Sequence, residues 1–303
     1  MSNVLYDALF ARHQGSTEPF LYLKDGTVLS YDAFLKLTAR IAHVLLDHGV
    51  ASGDRVAVQV KKSPEALALY AASIQAGAIF LPLNTAYTPN EVAYFVDNAE
   101  PRVVVCDEIG LDALTPIAEG AGARLLTLNG DGSGTLAAEA ASRDDRFETV
   151  ARAGHDLAAF LYTSGTTGRS KGAMLTQDNL LSNAQSLVEA WRFTHNDVLL
   201  HALPIFHTHG LFVACNVVLL AGGAMIFLPS FQIDEVIDWL PKATSMMGVP
   251  TFYTRLLDDP RFTRDRTAHM RLFTSGSAPL LAETHIAFEN RTGHRILERY
   301  GMT

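Results

Sequence analysis

Helical and strand-like runs alternate from Tyr31 to Cys106, and that alternation leaves few folds open. Tyr31 to Gly49 sets Phe34, Leu35, Ile41, Val44 and Leu45 at helical spacing and stops at a glycine. Arg55-Val56-Ala57-Val58-Gln59-Val60 follows as a strand. Ser63-Pro64-Glu65 opens a second helix, with serine as N-cap and proline at the first helical position, and this helix ends near Gly77. Ile79-Phe80-Leu81-Pro82-Leu83 is a short strand, and Thr88-Pro89-Asn90-Glu91 repeats the helix opening. Arg102-Val103-Val104-Val105-Cys106 is apolar enough to be buried on both faces. The pattern predicts an α/β fold whose mainly parallel sheets are covered by helices.

After Asn129-Gly130-Asp131-Gly132-Ser133-Gly134 the stretch from Ala137 to Asp156 is polar and weakly patterned, like a surface excursion between two lobes. Two subdomains are therefore expected, residues 1–150 and 151–303. The second opens with a strand from Leu157 to Tyr162. Gly172 to Leu175 is a further short strand, and Thr176-Gln177-Asp178-Asn179 caps a helix running to about Trp191. Arg271 to Thr274 and Arg295 to Leu297 read as strands that run into loops. Ligands bind at such strand ends in parallel sheets.

Composition excludes several classes. The net charge of −8 leaves no basic field for nucleic acid or an anionic membrane. Cys106 and Cys215 both lie in apolar runs, where reduced, buried thiols are expected, without a disulfide framework or metal-site spacing. Gly210 to Leu228 carries no charge and needs a membrane check. Its pattern breaks at Gly222-Gly223, so a buried helix, a turn and a strand ended by Pro229 are expected instead.

Between the strands at Leu157 and Gly172 lies Thr163-Ser164-Gly165-Thr166-Thr167-Gly168-Arg169-Ser170-Lys171-Gly172. Glycines let backbone N–H groups converge on one anion, hydroxyls add donors, and Lys171 supplies a mobile charge. That is a polyphosphate-binding composition. It is not a Walker A loop, because Ser170 stands where the second glycine belongs and Gly172 follows the lysine.

With Tyr162 in front, this loop resembles the signature of the adenylate-forming enzymes: acyl- and aryl-CoA synthetases, luciferases and peptide-synthetase adenylation domains. Three further strings resemble that family in the expected order: Leu203-Pro204-Ile205-Phe206-His207-Thr208-His209-Gly210, Thr274-Ser275-Gly276-Ser277-Ala278-Pro279-Leu280 and Glu298-Arg299-Tyr300-Gly301-Met302-Thr303. The resemblance covers essentially the whole chain and implies the large N-terminal domain of that fold.

It also implies a ligase that joins a carboxylate to ATP, assisted by Mg²⁺, and passes the acyl-adenylate to CoA. Bringing a carboxylate to the α-phosphate sets anions against each other, and donors, lysine and metal must offset the repulsion. By resemblance, Thr163, Ser164, Gly165, Thr166, Thr167, Gly168 and Lys171 hold phosphates. Ser277, Ala278 and Pro279 line the adenine, as do Glu298, Arg299, Gly301 and Tyr300, the last stacking on the base. Thr303 meets the α-phosphate. Lys171, His207 and Thr303 are the implied catalytic residues. His207 and His209 form a poor metal pair by themselves, and the resemblance places His207 at the edge of the acyl pocket, with Ser277 and Met302 on the substrate side.

Arg255 addresses which acid is used. It stands in the apolar string Val249-Pro250-Thr251-Phe252-Tyr253-Thr254-Arg255-Leu256-Leu257, where fatty-acid-activating relatives have a hydrophobic wall. A guanidinium there offers a planar fork to a second carboxylate, while a monocarboxylic acid would leave it unpaired. Alternatively it points outward to Asp258 or Asp259. The wording of the later strings is closest to malonyl-CoA synthetases, so malonate is the expected substrate and methylmalonate the second.

The family continues past this threonine with an acidic magnesium ligand and a C-terminal domain carrying a further lysine. No metal ligand is expected within the chain, and an isolated fragment is expected to be impaired. Alternatives are a synthetase for another short acid or a non-catalytic nucleotide-binding fragment. A basic or Arg/Ser-rich leader is not visible, and the expected location is the cytoplasm.

Overall fold

The computed structural model describes residues 2–163 and 170–301. Thirteen strands form among them: β1 Pro19–Tyr22, β2 Val28–Ser30, β3 Arg55–Gln59, β4 Ile79–Pro82, β5 Val103–Cys106, β6 Arg124–Thr127, β7 Leu157–Thr163, β8 Lys171–Thr176, β9 Val198–His201, β10 Ala224–Phe227, β11 Ser245–Gly248, β12 Leu272–Ser275 and β13 Ile296–Glu298. They make a six-stranded sheet, order β6-β5-β3-β4-β7-β8, and a seven-stranded sheet, order β13-β12-β11-β9-β10-β1-β2. Only β7–β8 and β1–β2 pair antiparallel. Membership interleaves along the chain: β1 pairs with β10, and β4 with β7, so neither sheet is contiguous in sequence.

The strands that are wholly apolar in sequence, such as β4 and β5, are buried at every residue, as strands covered on both faces must be. Local chemistry sets the helix starts. Ser63 accepts a hydrogen bond from Ala66 N, and Thr88 and Glu91 close a capping box. The N-terminal hairpin β1–β2 is a part of the fold that the sequence pattern did not announce. Its parallel bond to β10 is what holds it.

The helix Pro64–Gln75 is buried along almost its whole length. Its Tyr70 ring meets Phe10, Phe80 and Phe212 edge-on, and its hydroxyl reaches Asn216 at 3.3 Å. These contacts join residues of both sheets' layers in one core. Of the stretch expected to be irregular, Ala137 to Asp156, the start belongs to a short helix, Thr135–Ala140; the rest is irregular but anchored, since Asn3 bridges Arg152 and Phe147 packs on the core.

The uncharged stretch folds as a π-helix over His209–Cys215, an α-helix over Asn216–Ala221, a left-handed Gly222 and strand β10. Among the described residues no helix is long and apolar enough to cross a membrane. The π register appears because the Thr208 carbonyl accepts from both Phe212 N at 2.9 Å and Val213 N at 3.0 Å. Such bulges interrupt an α-helix at a cost and recur at functional sites.

Candidate active site

Both arms of the glycine-rich loop are strands, so the loop is the turn of the β7–β8 hairpin. The register runs from Leu157 opposite Thr176 to Thr163 opposite Lys171. Thr163 Oγ1 donates to the Lys171 carbonyl at 3.3 Å, and the Tyr94 hydroxyl donates to the Ser170 carbonyl at 3.0 Å. Lys171 is exposed. Ser164, Gly165, Thr166, Thr167 and Gly168 lie outside the described residues, as do Met302 and Thr303.

The last two motif strings meet across adjacent parallel strands. β12 and β13 pair with Ser275 opposite Glu298, so the segments leaving them run side by side. Arg299 N donates to the Ser275 carbonyl at 2.8 Å, and Leu280 N donates to a Glu298 carboxylate oxygen at 2.6 Å. Between them is a cavity of about 330 Å³ lined by Ser277, Ala278, Pro279, Glu298, Arg299, Tyr300 and Gly301. Tyr300 is 89% exposed, so it is no core tyrosine and its ring face is open. Arg299 is half-buried, and desolvation lowers its pKa without removing its charge.

Ser277 has φ +69°, a left-handed conformation that costs a non-glycine residue free energy. His209 holds it there, with Nδ1 at 3.2 Å from Ser277 Oγ. The His209 ring packs on Gly276, and its Nε2 has no hydrogen-bond partner among the described residues. Burial first, then the positive charge of Arg299 and the His207 ring, lower its pKa to about 4. The ring is therefore neutral at neutral pH.

The sequence reading assigned a role to His207 and none to His209. His207 is the exposed one, tilted against the Phe206 ring at 4.5 Å, with desolvation lowering its pKa. Its neighbour is the one that reaches a second motif. Burial at the i+2 position of an apolar run was the available signal.

Arg255 sits in the last turn of the helix Pro250–Asp258. It does not turn to Asp258 or Asp259. Asp259 instead pairs with Arg261, which also holds Asp234. The Arg255 guanidinium lies 4.7 Å over the Phe231 ring and reaches the Phe231 carbonyl at 3.5 Å. No carboxylate pairs with it among the described residues.

A larger cavity of about 770 Å³ opens at the carboxyl ends of strands from both sheets, bordered by Lys61, Asp107, Asn129, Phe206 and Ser230. The last two motif strings converge on the smaller one, while Pro204, Ile205 and Phe206 of the string before them line the larger.

The AMP-binding enzyme family matches residues 9–303. The chain belongs to that family. The apo crystal structure of MatB from Rhodopseudomonas palustris superimposes with a TM-score of 0.97 at 53% identity, covering 100% of this chain and 60% of that one. The same protein has been solved with ATP bound. A mitochondrial malonate–CoA ligase of Mus musculus is 34% identical over 77% of this chain and 42% of its own length. A malonate–CoA ligase of Arabidopsis thaliana is 29% identical over 99% of this chain and 55% of its own. The chain spans about half the length of the curated relatives it matches. As a member of the AMP-binding enzymes, it has the α/β architecture of mainly parallel sheets covered by helices that the sequence predicts, arranged as two sheets.

Proposed function

We propose that this chain is the nucleotide- and acid-binding part of a ligase that activates malonate, with methylmalonate second, and transfers it to CoA. The observation that carries the reading is the meeting of Ser277–Pro279 and Glu298–Gly301 around one cavity, as an adenine site requires. A malonate carboxylate oxygen attacks the α-phosphorus of ATP, the bond to the β-phosphate oxygen breaks, and pyrophosphate leaves. The CoA thiolate then attacks the acyl carbon and AMP leaves.

Thr163 and Lys171, at the arms of the hairpin, face phosphate in this scheme, together with the loop between them. Ser277, Ala278, Pro279, Glu298, Arg299, Tyr300 and Gly301 hold the adenosine, and His207 and Ser277 border the acyl group. Arg255 takes the second carboxylate: among the described residues its partners are an aromatic face and a carbonyl oxygen, which a carboxylate improves on. The names of the similar ligases support malonate.

The described residues hold no group of three His, Cys, Asp or Glu side chains suited to a metal, and no step above is routed through one.

The test is pyrophosphate release by the full-length protein with malonate, methylmalonate, acetate and octanoate. Malonate is expected to be turned over fastest. Arg255→Ala is expected to lower kcat/KM for malonate by about 10- to 100-fold, the usual loss for a charged hydrogen-bonded pair, and to leave acetate nearly unchanged. Equal losses for both acids would remove Arg255 from the acyl site. Preference for octanoate would overturn the substrate assignment.

A further inference from the structure

Lys62, His201 and Cys215 are polar or ionisable, deeply buried, and outside every motif string discussed above. Lys62 follows β3 of the six-stranded sheet, and His201 ends β9 of the seven-stranded sheet. The Lys62 Nζ lies 2.7 Å from His201 Nδ1 and 2.8 Å from the His201 carbonyl oxygen. It also sits 4.1 Å over the Phe227 ring. On the far side of the imidazole, His201 Nε2 lies 2.8 Å from the Gly210 carbonyl oxygen, and Cys215 Sγ reaches the same oxygen at 3.2 Å.

No carboxylate takes part in these contacts. Burial without an anion pulls the Lys62 amine well below its usual pKa, and burial beside that amine does the same to His201. Burial pushes the Cys215 thiol up to about 12. His201 Nε2 faces a carbonyl oxygen, which can only accept, so that nitrogen carries a proton. The donors and acceptors then fit in one way. Lys62 N–H groups donate to the His201 carbonyl and to Nδ1, so the ring carries its proton on Nε2. That N–H and the Cys215 S–H both donate to the Gly210 carbonyl.

Gly210 is the second residue of the π-helix, and His201 is the last of β9. Their bond closes the base of the loop that carries Phe206, His207 and His209. Gly210 itself has no room for a Cβ, which would run into the Pro204 carbonyl. A leucine or methionine at position 62 would fill this space without the cost of desolvating an amine. Two of the amine's three contacts are hydrogen bonds to His201, at the stem of the loop.

We propose that Lys62, acting through His201 and the Gly210 carbonyl, is a positioning residue for the His207–His209 loop and thereby for binding of the carboxylic acid. The functional half of this statement rests on the ligase reading above; the geometric half does not.

Two measurements separate them. In wild-type protein with ¹⁵N-labelled histidine, His201 is expected as the neutral Nε2–H tautomer with Nδ1 hydrogen-bonded, and Lys62→Met is expected to shift the His207 and His209 resonances. A protonated or Nδ1–H His201 in the wild type, or unmoved loop resonances in the variant, overturns the proposal whatever the enzyme does.

In steady-state assays of the full-length protein, Lys62→Met is expected to raise KM for malonate about tenfold, the loss of one buried hydrogen bond's worth of alignment, with KM for ATP unchanged. A lower Tm with both KM values unchanged means a purely structural lysine and overturns it too. If wild-type protein turns over no acid, the ligase reading fails and the histidine spectra alone decide. If Lys62→Met does not fold, Lys62→Gln, which keeps one donor, replaces it, and the wild-type tautomer still stands as an independent test.

Discussion

The glycine-rich loop and the His207–His209 loop are held in opposite ways. The glycine-rich loop is the turn of a two-stranded hairpin: its arms are fixed by strand register, and its outer contacts are Tyr94 on the Ser170 carbonyl and Tyr162 on Asn98. The His207–His209 loop has no partner strand. It is fixed by buried polar groups, by a glycine without room for a side chain, and by the His209–Ser277 hydrogen bond to the next motif. A loop framed by a hairpin tolerates change at its arms; a loop clamped by a buried polar network does not.

Gly210→Ala should break the clamped loop hardest. The new Cβ meets a backbone oxygen that cannot step aside, and a loss of about 3 kcal/mol or more is expected in urea denaturation. An unchanged midpoint would show that the clamp is soft.

Acid should act on the same loop. The folded-state pKa of His209 is depressed from 6.5 to about 4, so the unfolded chain binds the proton first. Its contribution is complete above pH 6.5 and is lost progressively as pH falls toward 4, amounting to at most about 3 kcal/mol. Denaturation midpoints of wild type and His209→Phe across that window check it. The variant should lose part of the acid slope, and identical slopes would contradict the assignment.

At the hairpin, Lys171→Ala should weaken ATP binding by about tenfold while leaving the denaturation midpoint where it was, since an exposed side chain contributes charge and no packing. Calorimetric titration with ATP and AMP reads it, and AMP should be affected much less. Equal weakening of both would move Lys171 away from the outer phosphates.

Gly172→Ala is the smallest effect and the sharpest contrast. Its Cβ would approach the tip of the Phe160 ring, a half-buried side chain that can swing, so about 1 kcal/mol is expected against the larger loss at Gly210. A cost equal to that of Gly210→Ala would erase the difference between the two loops.

Legibility in the sequence follows the range of the interactions. The helix caps at Ser63, Thr88 and Thr176 were readable because a cap is made within four residues. The hairpin arms were readable because apolar strands flank the loop. His209 was passed over, because its partner Ser277 lies 68 residues away. Arg255 carried two readings in sequence, solvent carboxylate or acyl wall. The first falls because the Arg255 guanidinium meets Phe231 and Asp259 pairs with Arg261, contacts that the tertiary structure sets.

By itself the sequence determined that strands would be buried between helices, that the loop after Tyr162 would be rich in phosphate donors, and that the chain would resemble adenylate-forming enzymes. Those features reside in local periodicity, backbone permissiveness and short strings. Only the tertiary structure decided that β1 joins β10, that the last two motifs enclose one cavity, and that Lys62 reaches His201 from the other sheet. Each of these is a contact between segments far apart in the chain, and burial, not propensity, selects it: a strand edge, a lysine amine or an imidazole taken out of water must find its partner wherever the fold supplies one.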